Sequence, residues 1–237
     1  MNISLRRVYA IFQKDVKDMM KNLYVSTALL MPLLLAAFYG KVYEELPLEA
    51  HFLVINLTFV MIGAYVQSAL IAEEKEKNTL RGLMLSPATI PEILGGKSLV
   101  TFIVTIITIV ICSMLMRYEP THLFSIAIAM IISVLFYIAL GTLIGLLSKS
   151  AVEASVIMLP MFFLFGFGTF IEMIIEKYPT LAFAKYLPNI QLLEFAKNIQ
   201  AGQSMNESWL PLVVIFAWAV GMSMLTVIVF RKKEMDD

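Results

Sequence analysis

The chain has 237 residues, of which 59% are hydrophobic and only 15% are charged, and its 18 basic side chains are balanced by 18 acidic ones. Soluble domains carry about a quarter charged residues, so this composition excludes an ordinary soluble protein and indicates one that lies in lipid. The zero net charge gives no basic field for nucleic acid. The single cysteine, Cys112, excludes a disulfide framework within the chain, and two isolated histidines give no reason to expect a metal centre.

Residues 1–21 are predicted to form an amphipathic helix and not a cleavable signal. Basic residues are spread along this segment, and no apolar stretch precedes a small-residue cleavage site. The apolar side chains at helical spacing are Leu5, Val8, Phe12, Val16 and Met19. Such a helix either lies in the membrane interface or packs as a cytoplasmic extension on its own protein, and the pattern does not separate these alternatives.

Six hydrophobic runs are long enough for membrane-crossing helices, because a bilayer core about 30 Å thick needs about 20 mostly apolar residues. They cover residues 23–42, 52–72, 98–116, 124–147, 154–175 and 210–230. Helices are expected here because open strand edges in lipid leave backbone groups unpaired. The predicted fold is an all-α integral membrane protein, with residues 1–237 forming one transmembrane domain.

The distribution of basic residues predicts the orientation. With the N-terminus inside, the cytoplasmic segments hold 13 of the 18 basic residues. Three of the other five lie in the one long outer connection, where the charge rule is weak. We therefore expect both termini to be cytoplasmic, in the plasma membrane of a bacterium or an archaeon.

Within the fourth run, two glycines form a small-xxx-small pair. Gly141 and Gly145 lie on one face of the expected helix. Such a pair lets two helices approach closely, although the pattern is also common by chance. It is a candidate packing seam.

The connection after the fifth run is predicted to break into short helices. The interrupting residues are Gly166, Gly168, Pro179 and Pro188. Residues 190–200 then show an amphipathic helical pattern. Because residues 171–205 are too apolar for a loop and too interrupted to span, we expect re-entrant helices that dip into the outer leaflet.

The segment 73–97, between the second and third runs, carries the clearest functional pattern. It reads EEKEKNTLRGLMLSPATIPEILGGK. A short helix is expected from Thr79, and Ser86-Pro87 ends it, because the residue before a proline is disfavoured in helical geometry. The apolar side chains on one face of this helix are Leu80, Leu83 and Met84. This stripe is interpreted as docking into a groove on a soluble partner, or alternatively as resting on the inner ends of the chain's own spans.

The same segment resembles the signature of the ABC type 2 transporter permeases. It has EKEKNTL at residues 74–80, Leu83, LSP at 85–87, IL at 93–94 and GK at 96–97. The family pattern is roughly E-[RK]-E-x-G-T-L-E-x-L-x-x-S-P, with I-L-x-G-K some six residues later. Asn78 replaces the usual glycine but still permits an unusual backbone conformation. Arg81 replaces the acidic residue that is usual at this position, so an ion pair made by that acid in the family is not expected in this chain.

The resemblance implies a mechanism. Two permease subunits, identical or paired with a sister chain, would form a twelve-span pathway, each on a separate ATPase subunit. The helix from Thr79 to Ser86 would be the coupling helix, and the N-terminal helix would give a second contact through Phe12 and Val16. The implied partner-binding residues of the coupling segment are Glu74, Glu76, Thr79, Leu80, Leu83, Met84, Ser86 and Pro87.

This chain itself is expected to bind no cofactor, with ATP and magnesium on the partner. The sequence GGKS at residues 95–98 resembles the end of a phosphate-binding loop, but its first glycine would fall on Pro91 and no strand precedes it. The chain is therefore not expected to be an enzyme. The energy source must be a partner.

Three residues are candidates for the pathway or an outer gate. Glu172 lies near hydrocarbon, where a carboxylate is costly and often functional, and it either satisfies the bend in the outer helices or contacts substrate as an outer gate. Phe163 and Phe167 belong to an aromatic cluster that either lines an apolar route or packs against lipid. No metal site is expected.

The predicted function is an ATP-driven exporter permease for an amphipathic peptide, an antibiotic or a lipid-like molecule. Polysaccharide or ion export by the same machinery is the alternative. A secondary transporter that does not use ATP would need paired ionisable residues near the midplane, and the midplane portions of four runs have no charged residue. An intramembrane enzyme would need a polar constellation within the spans, which the sequence does not offer.

Overall fold

The computed structural model describes residues 4–21, 23–204 and 207–236. This part of the chain is helical and contains no strand, which confirms the all-α prediction. The α-helices are α1 (Leu5–Lys21), α2 (Leu23–Val42), α3 (Leu48–Thr58), α4 (Gln67–Glu76), α5 (Thr79–Met84), α6 (Ile90–Leu115), α7 (Leu123–Leu147), α8 (Ala151–Met161), α9 (Gly168–Lys177), α10 (Pro188–Gln200) and α11 (Trp209–Asp236). The π-helical segment Phe59–Val66 joins α3 to α4, Phe162–Gly166 extends α8, and Pro179–Tyr186 is a 3₁₀ helix.

Five helical stretches in the described ranges are long and apolar enough to cross a membrane. They are Val25–Val42, Leu48–Glu76, Ile90–Leu115, Leu123–Leu147 and Trp209–Lys232. Leu48–Glu76 is about 43 Å long and Ile90–Leu115 about 39 Å, so both exceed a hydrocarbon core of about 30 Å. Each helix is therefore long enough to cross the hydrocarbon core completely.

The fifth predicted run is not one continuous helix. The shorter apolar stretch Ala151–Gly166 ends at Phe167, whose φ of −106° and ψ of 42° break the helix before α9 begins. The Asn189 side chain from α10 occupies the break, where its Nδ2 donates to the carbonyl of Leu164 at 3.1 Å. A Cβ on Gly168 would lie 2.6 Å from that nitrogen, so the glycine makes room for the amide.

The bundle has two distinct ends. We call the end with α1, α5, the first turns of α6 and the last turns of α11 the basal end. The opposite end, with α9, the 3₁₀ helix and α10, is the distal end. The predicted amphipathic helix at residues 190–200 is confirmed within α10, and its apolar positions Ile190, Leu193, Ala196 and Ile199 are all buried.

The Gly141–Gly145 seam is confirmed. A Cβ on Gly141 would lie 2.2 Å from the carbonyl oxygen of Ala64, and one on Gly145 would lie 2.7 Å from that of Ser68. The backbone of α7 therefore lies directly against the π segment and the start of α4. Only residues without side chains permit this distance.

A buried hydrogen-bond chain joins three helices in the interior. Gln67 on α4 donates to the hydroxyl of Thr142 on α7 at 3.0 Å and accepts from the hydroxyl of Thr101 on α6 at 2.5 Å. All three side chains are buried. Because hydrocarbon offers these groups no other partner, the chain fixes how α4, α6 and α7 pack.

Candidate functional site

The N-terminal helix is fastened to the start of α6 by a two-point ion pair. Arg7 reaches Glu92 with Nη2 at 2.8 Å and Nε at 3.0 Å. The backbone N–H groups of Ser4 and Thr89 donate to the same carboxylate at 2.6 and 2.7 Å. Glu92 is fully buried, and its bond to Thr89 caps the first turn of α6. One carboxylate thus starts α6 and holds α1 against it.

A second set of charges, the basal ion cluster, consists of Lys14, Asp15, Glu74 and Lys97. Glu74 on α4 accepts from both Lys14 on α1 and Lys97 on α6. Lys97 also lies 3.5 Å from Asp15, and Lys14 lies 3.4 Å from the same carboxylate. Asp15 and Lys97 are buried. Within these four residues two cations balance two anions, as burial of charge requires, and the exposed Asp18 also pairs with Lys14 at 3.3 Å.

The cluster changes the proton affinities of the two α1 residues. Burial raises the pKa of Asp15 above its ordinary value, and the charge of Glu74 adds to this while Lys97 and Lys14 oppose it. Burial alone would lower the pKa of Lys14, but the hydrogen bond and charge of Glu74 outweigh it and raise that pKa. Lys14 is therefore firmly protonated near neutral pH.

Close packing accompanies these charges. A Cβ on Gly96 would lie 2.9 Å from Cβ of Ile11 and 3.1 Å from the carbonyl oxygen of Val8. Ile11 is buried in a basal apolar cluster that includes Ile71, Leu80 and residues of α7 and α11. The glycine therefore sets the distance between α1 and α6.

The last turn of α4 also holds the connection between α7 and α8. Lys75 donates to the carbonyl oxygens of Leu146 at 2.9 Å and Ser148 at 2.6 Å. Glu76 accepts from the backbone N–H of Ala151 at 3.3 Å, at the start of α8. These bonds satisfy helix-end groups that would otherwise lack partners. Three consecutive residues of α4, from Glu74 to Glu76, thus contact α1, α6, α7 and α8.

The chain turns sharply between α4 and α5. Asn78 has φ of +58°, a left-handed conformation that asparagine adopts more readily than most residues, so the asparagine that replaces the family's glycine takes an unusual backbone. Thr79 donates its hydroxyl to the carbonyl of Glu74 at 3.1 Å. At the other end of α5, Ser86 donates its hydroxyl to the carbonyl of Leu83 at 2.7 Å and accepts from Ala88 N–H at 3.2 Å. Both ends of the short helix are thereby defined.

The predicted apolar stripe on α5 is mostly packed against the protein, and the exposed apolar residues lie just after it. Leu80 is only 3% exposed and packs in the basal apolar cluster, and Leu83 packs against that cluster in part. Leu80 therefore packs on the chain's own helices, which is the alternative to docking on a soluble partner. Leu85, outside the predicted stripe, is 81% exposed, and Pro87 beside it is exposed as well.

The model of the family described as ABC-2 family transporter protein matches residues 42–229, which is most of the chain. The chain belongs to the ABC-2 transporter family. No curated protein sequence matches it. Members of the family are membrane components of ABC transporters, so this chain is a multi-pass membrane protein that acts in transport.

In this ABC-2 transporter, the two α1 residues that were predicted to contact the ATPase lie on a different face of the helix from its buried residues. Phe12 and Val16 are half-buried, and Phe12 stacks with Tyr9 at a centroid distance of 6.2 Å. The buried positions are Ile11 and Asp15. The α1 helix packs on its own protein while leaving a second apolar face, which includes the exposed Leu5, available to the membrane or a partner.

The structure locates only some of the remaining predicted residues, which are Met84 and the three candidates for the pathway or outer gate. The side chains of Met84 and Glu172 lie outside the described part of the ABC-2 transporter. Phe163 and Phe167 stack at 5.9 Å beside the break between α8 and α9, and Phe163 is exposed. They lie close together, as an aromatic cluster in sequence indicates.

Sequence reasoning missed the partners of Glu74. These partners are Lys14 on α1 and Lys97 on α6. In the sequence, Lys97 stood out only as the end of the GK pair and Lys14 only as one of the basic residues spread along residues 1–21, and Asp15 was not singled out. The sequence signal that could have identified this pair was the presence of Glu74 and Lys97 near the predicted membrane surface of the ABC-2 transporter, since charges there are usually paired.

Proposed function

We propose that this chain is the permease subunit of an ATP-driven exporter and couples to a separate ATPase subunit. The proposed contact, which we call the docking surface, consists of Lys77, Asn78, Thr79, Leu85 and Pro87. All five residues are exposed and lie at the two ends of the short helix α5. A protruding leucine beside a proline suits an apolar groove on a soluble protein.

The observation that carries this proposal is the rigid connection behind the docking surface. Glu74 binds α1 and α6, Lys75 binds the end of α7, and Glu76 binds the start of α8. A displacement of α5 would therefore be transmitted to these four helices together. A solvated loop between two spans needs no such connections.

We further propose that two copies of the chain, or this chain and a sister chain, enclose the pathway. A groove of about 470 Å³ lies between α2, the π segment Phe59–Val66 and α8. The neighbouring face of α2 exposes Leu30, Leu34 and Phe38. Two such faces placed together would convert two open grooves into one enclosed route.

The lining of the groove favours an amphipathic substrate. Its walls are mainly apolar and include Met31, Met61, Tyr65 and Phe162, while Ser155 contributes a hydroxyl. No charged residue lines it within the described part of the chain. A peptide, an antibiotic or a lipid-like molecule fits this chemistry better than an ion or a polysaccharide, which would require many polar contacts.

Orientation follows from the same proposal. The docking surface, α1 and the last turns of α11 all belong to the basal end, so a cytoplasmic ATPase requires both termini inside. The sixth crossing would be made by α8 with its π segment, about 24 Å long over 16 residues, followed by the broken distal helices.

Copurification tests the ATPase coupling. Tagged protein, extracted gently from its native host, should carry a stoichiometric nucleotide-binding subunit identified by mass spectrometry. Leu85→Asp should abolish this association, whereas Leu85→Met should retain it, and both variants should unfold at the wild-type temperature. Wild-type protein that purifies alone, under conditions that preserve known complexes, would favour the secondary-transporter alternative.

Cross-linking tests the pairing of the two permease subunits. The native Cys112 is buried, so single cysteines added at exposed positions report on the interface. Leu34→Cys on α2 should form a dimer-sized product with a short cross-linker, and Met224→Cys on the exposed side of α11 should not. The reverse result would place the interface on α11.

A further inference from the structure

A second cavity lies on another side of the bundle, away from the proposed pathway and the docking surface. It is a groove of about 550 Å³ between α6 and α7 that ends at the distal turn connecting them. Its apolar walls include Ile106, Val110 and Met114 from α6 and Leu123, Ala127 and Ile131 from α7. Val110, Met114, Leu123 and Ile131 are exposed, so the groove opens along its length toward lipid.

The dimensions match one membrane leaflet. Ile106 and Met114 are eight positions apart on α6, which is about 12 Å along a helix. One leaflet contributes about half of a hydrocarbon core of about 30 Å. The groove thus extends through most of the leaflet at the distal end.

The mouth of the groove is charged. Arg117 and Glu119 both line it and both are exposed. Neither has an ion-pair partner among the residues that the structure describes. They lie just beyond the last residue of α6, Leu115, which is the depth at which lipid headgroups meet a membrane helix. One cation and one anion at the mouth complement a headgroup that itself carries both charges.

The backbone of Arg117 gives an independent argument. Its φ is +53°, the left-handed conformation that glycine adopts most easily. The N–H of Tyr118 donates to the carbonyl of Ser113 at 2.9 Å and that of Arg117 to Met114 at 3.2 Å. This is the Schellman arrangement, whose αL position glycine usually fills. An arginine is conformationally unfavourable at this position. Its presence there indicates that the guanidinium side chain has a function.

We propose that this groove binds one acyl chain of a phospholipid with a phosphoethanolamine headgroup. Arg117 holds the phosphate, because a guanidinium donates two parallel hydrogen bonds to phosphate oxygens. Glu119 accepts from the ammonium group. The apolar walls hold the acyl chain. This proposal rests on the membrane location of the chain and does not depend on the ATPase coupling.

Native mass spectrometry tests the proposal directly. The full-length protein is delipidated in detergent and then equilibrated with vesicles of phosphatidylethanolamine, phosphatidylglycerol or phosphatidylcholine. Wild-type protein should retain one phosphatidylethanolamine per chain, in preference to the other two lipids. Phosphatidylglycerol lacks the ammonium group, and phosphatidylcholine lacks its hydrogen-bond donors.

The decisive variant is Arg117→Gly. Glycine removes the guanidinium and suits the αL backbone, so the thermal midpoint should stay equal or rise while lipid retention falls about tenfold. Glu119→Gln should raise retention of phosphatidylglycerol relative to phosphatidylethanolamine, because it removes the anion that repels an anionic lipid. Ala127→Trp, which fills the groove, should reduce retention of all three lipids.

Lys41→Gln is the matched control, since Lys41 is another exposed cation at the distal end of a spanning helix but does not line the groove. It should leave lipid retention unchanged. Equal retention of all three lipids by wild-type protein, or wild-type retention by both Arg117→Gly and Ala127→Trp, would overturn the proposal and leave only general annular lipid.

Discussion

The ammonium of Lys97 lies 3.5 Å from the carboxylate of Asp15, so the first helix of the chain and the start of a membrane-spanning helix share a buried ion pair. Lys97 also binds Glu74, at the end of the preceding span. Helices α1, α4 and α6 therefore meet at one point near the membrane surface. In the proposed exporter, this point lies directly behind the docking surface.

Removal of Lys97 should be among the most destabilising single changes at the basal end. In Lys97→Met, Asp15 and Glu74 would share Lys14 alone, and breaking a buried pair costs about 3 kcal/mol. The double variant Lys97→Met with Asp15→Asn should recover much of this loss, because it removes the unpaired carboxylate. Thermal unfolding in detergent measures both, and Lys17→Met on the exposed face of α1 is the control. Equal stability of single and double variants would mean that the cluster does not act as a unit.

Two adjacent glycines allow a matched test of the packing between α1 and α6. Gly96→Ala should displace α1, since the new methyl group would lie 2.9 Å from Ile11 Cβ. Gly95→Ala meets nothing within 4 Å and should stabilise the helix by up to about 1 kcal/mol. Thermal midpoints and limited proteolysis of α1 should therefore move in opposite directions for the two variants. Similar behaviour of both would show that α1 is not in close contact with α6.

The apolar periodicity of the sequence was a good guide where burial is apolar and local. It predicted the helix within α10, and the small-xxx-small pair predicted the seam at Gly141, because both features depend on side-chain size at helical spacing. The signature segment likewise indicated that Asn78 could adopt the left-handed backbone that the structure shows. These features are decided by residues close together in sequence.

The same reasoning was less informative about α1 and the fifth run. Hydrophobic spacing directed attention to Phe12 and Val16, whereas Asp15 is buried because Lys97, far away in sequence, neutralises it. The break at Phe167 depends on an amide from α10 that enters the helix end. Neither tertiary partner could be identified from a local pattern.

The glycine seam predicts a strong position dependence along the helices. Gly141→Ala would place a methyl group 2.2 Å from the carbonyl oxygen of Ala64, so α7 must move away from the π segment, at a cost of about 1–3 kcal/mol. Gly221→Ala on α11 meets nothing within 4 Å and should be neutral or slightly stabilising. Thermal unfolding of the two variants gives the comparison. A neutral Gly141→Ala would rule out the close approach of α7 to the π segment.

The turn at Asn78 should tolerate glycine and reject β-branched residues. Asn78→Gly suits a φ of +58° and should retain stability. Asn78→Val should cost about 1–2 kcal/mol, since the left-handed region is unfavourable for such a side chain. In the proposed exporter, the valine variant should also reduce substrate-stimulated ATPase activity of the assembled complex. Identical activity of the two variants would show that the orientation of α5 does not matter for coupling.

Asp15 should give the protein a distinctive pH dependence. Its folded-state pKa lies above the ordinary value of 3.8 because burial disfavours the charged form. The folded protein therefore holds this proton more tightly than the unfolded chain, and the contribution of Asp15 to stability falls as pH rises from 3.8 through the raised pKa. Asp15→Asn cannot titrate, so its thermal midpoint relative to wild type should increase across that window and level off above it. Subtracting the two profiles cancels the titration of more distant groups, and a difference that stays constant or declines with pH would show that the folded-state pKa of Asp15 is not raised.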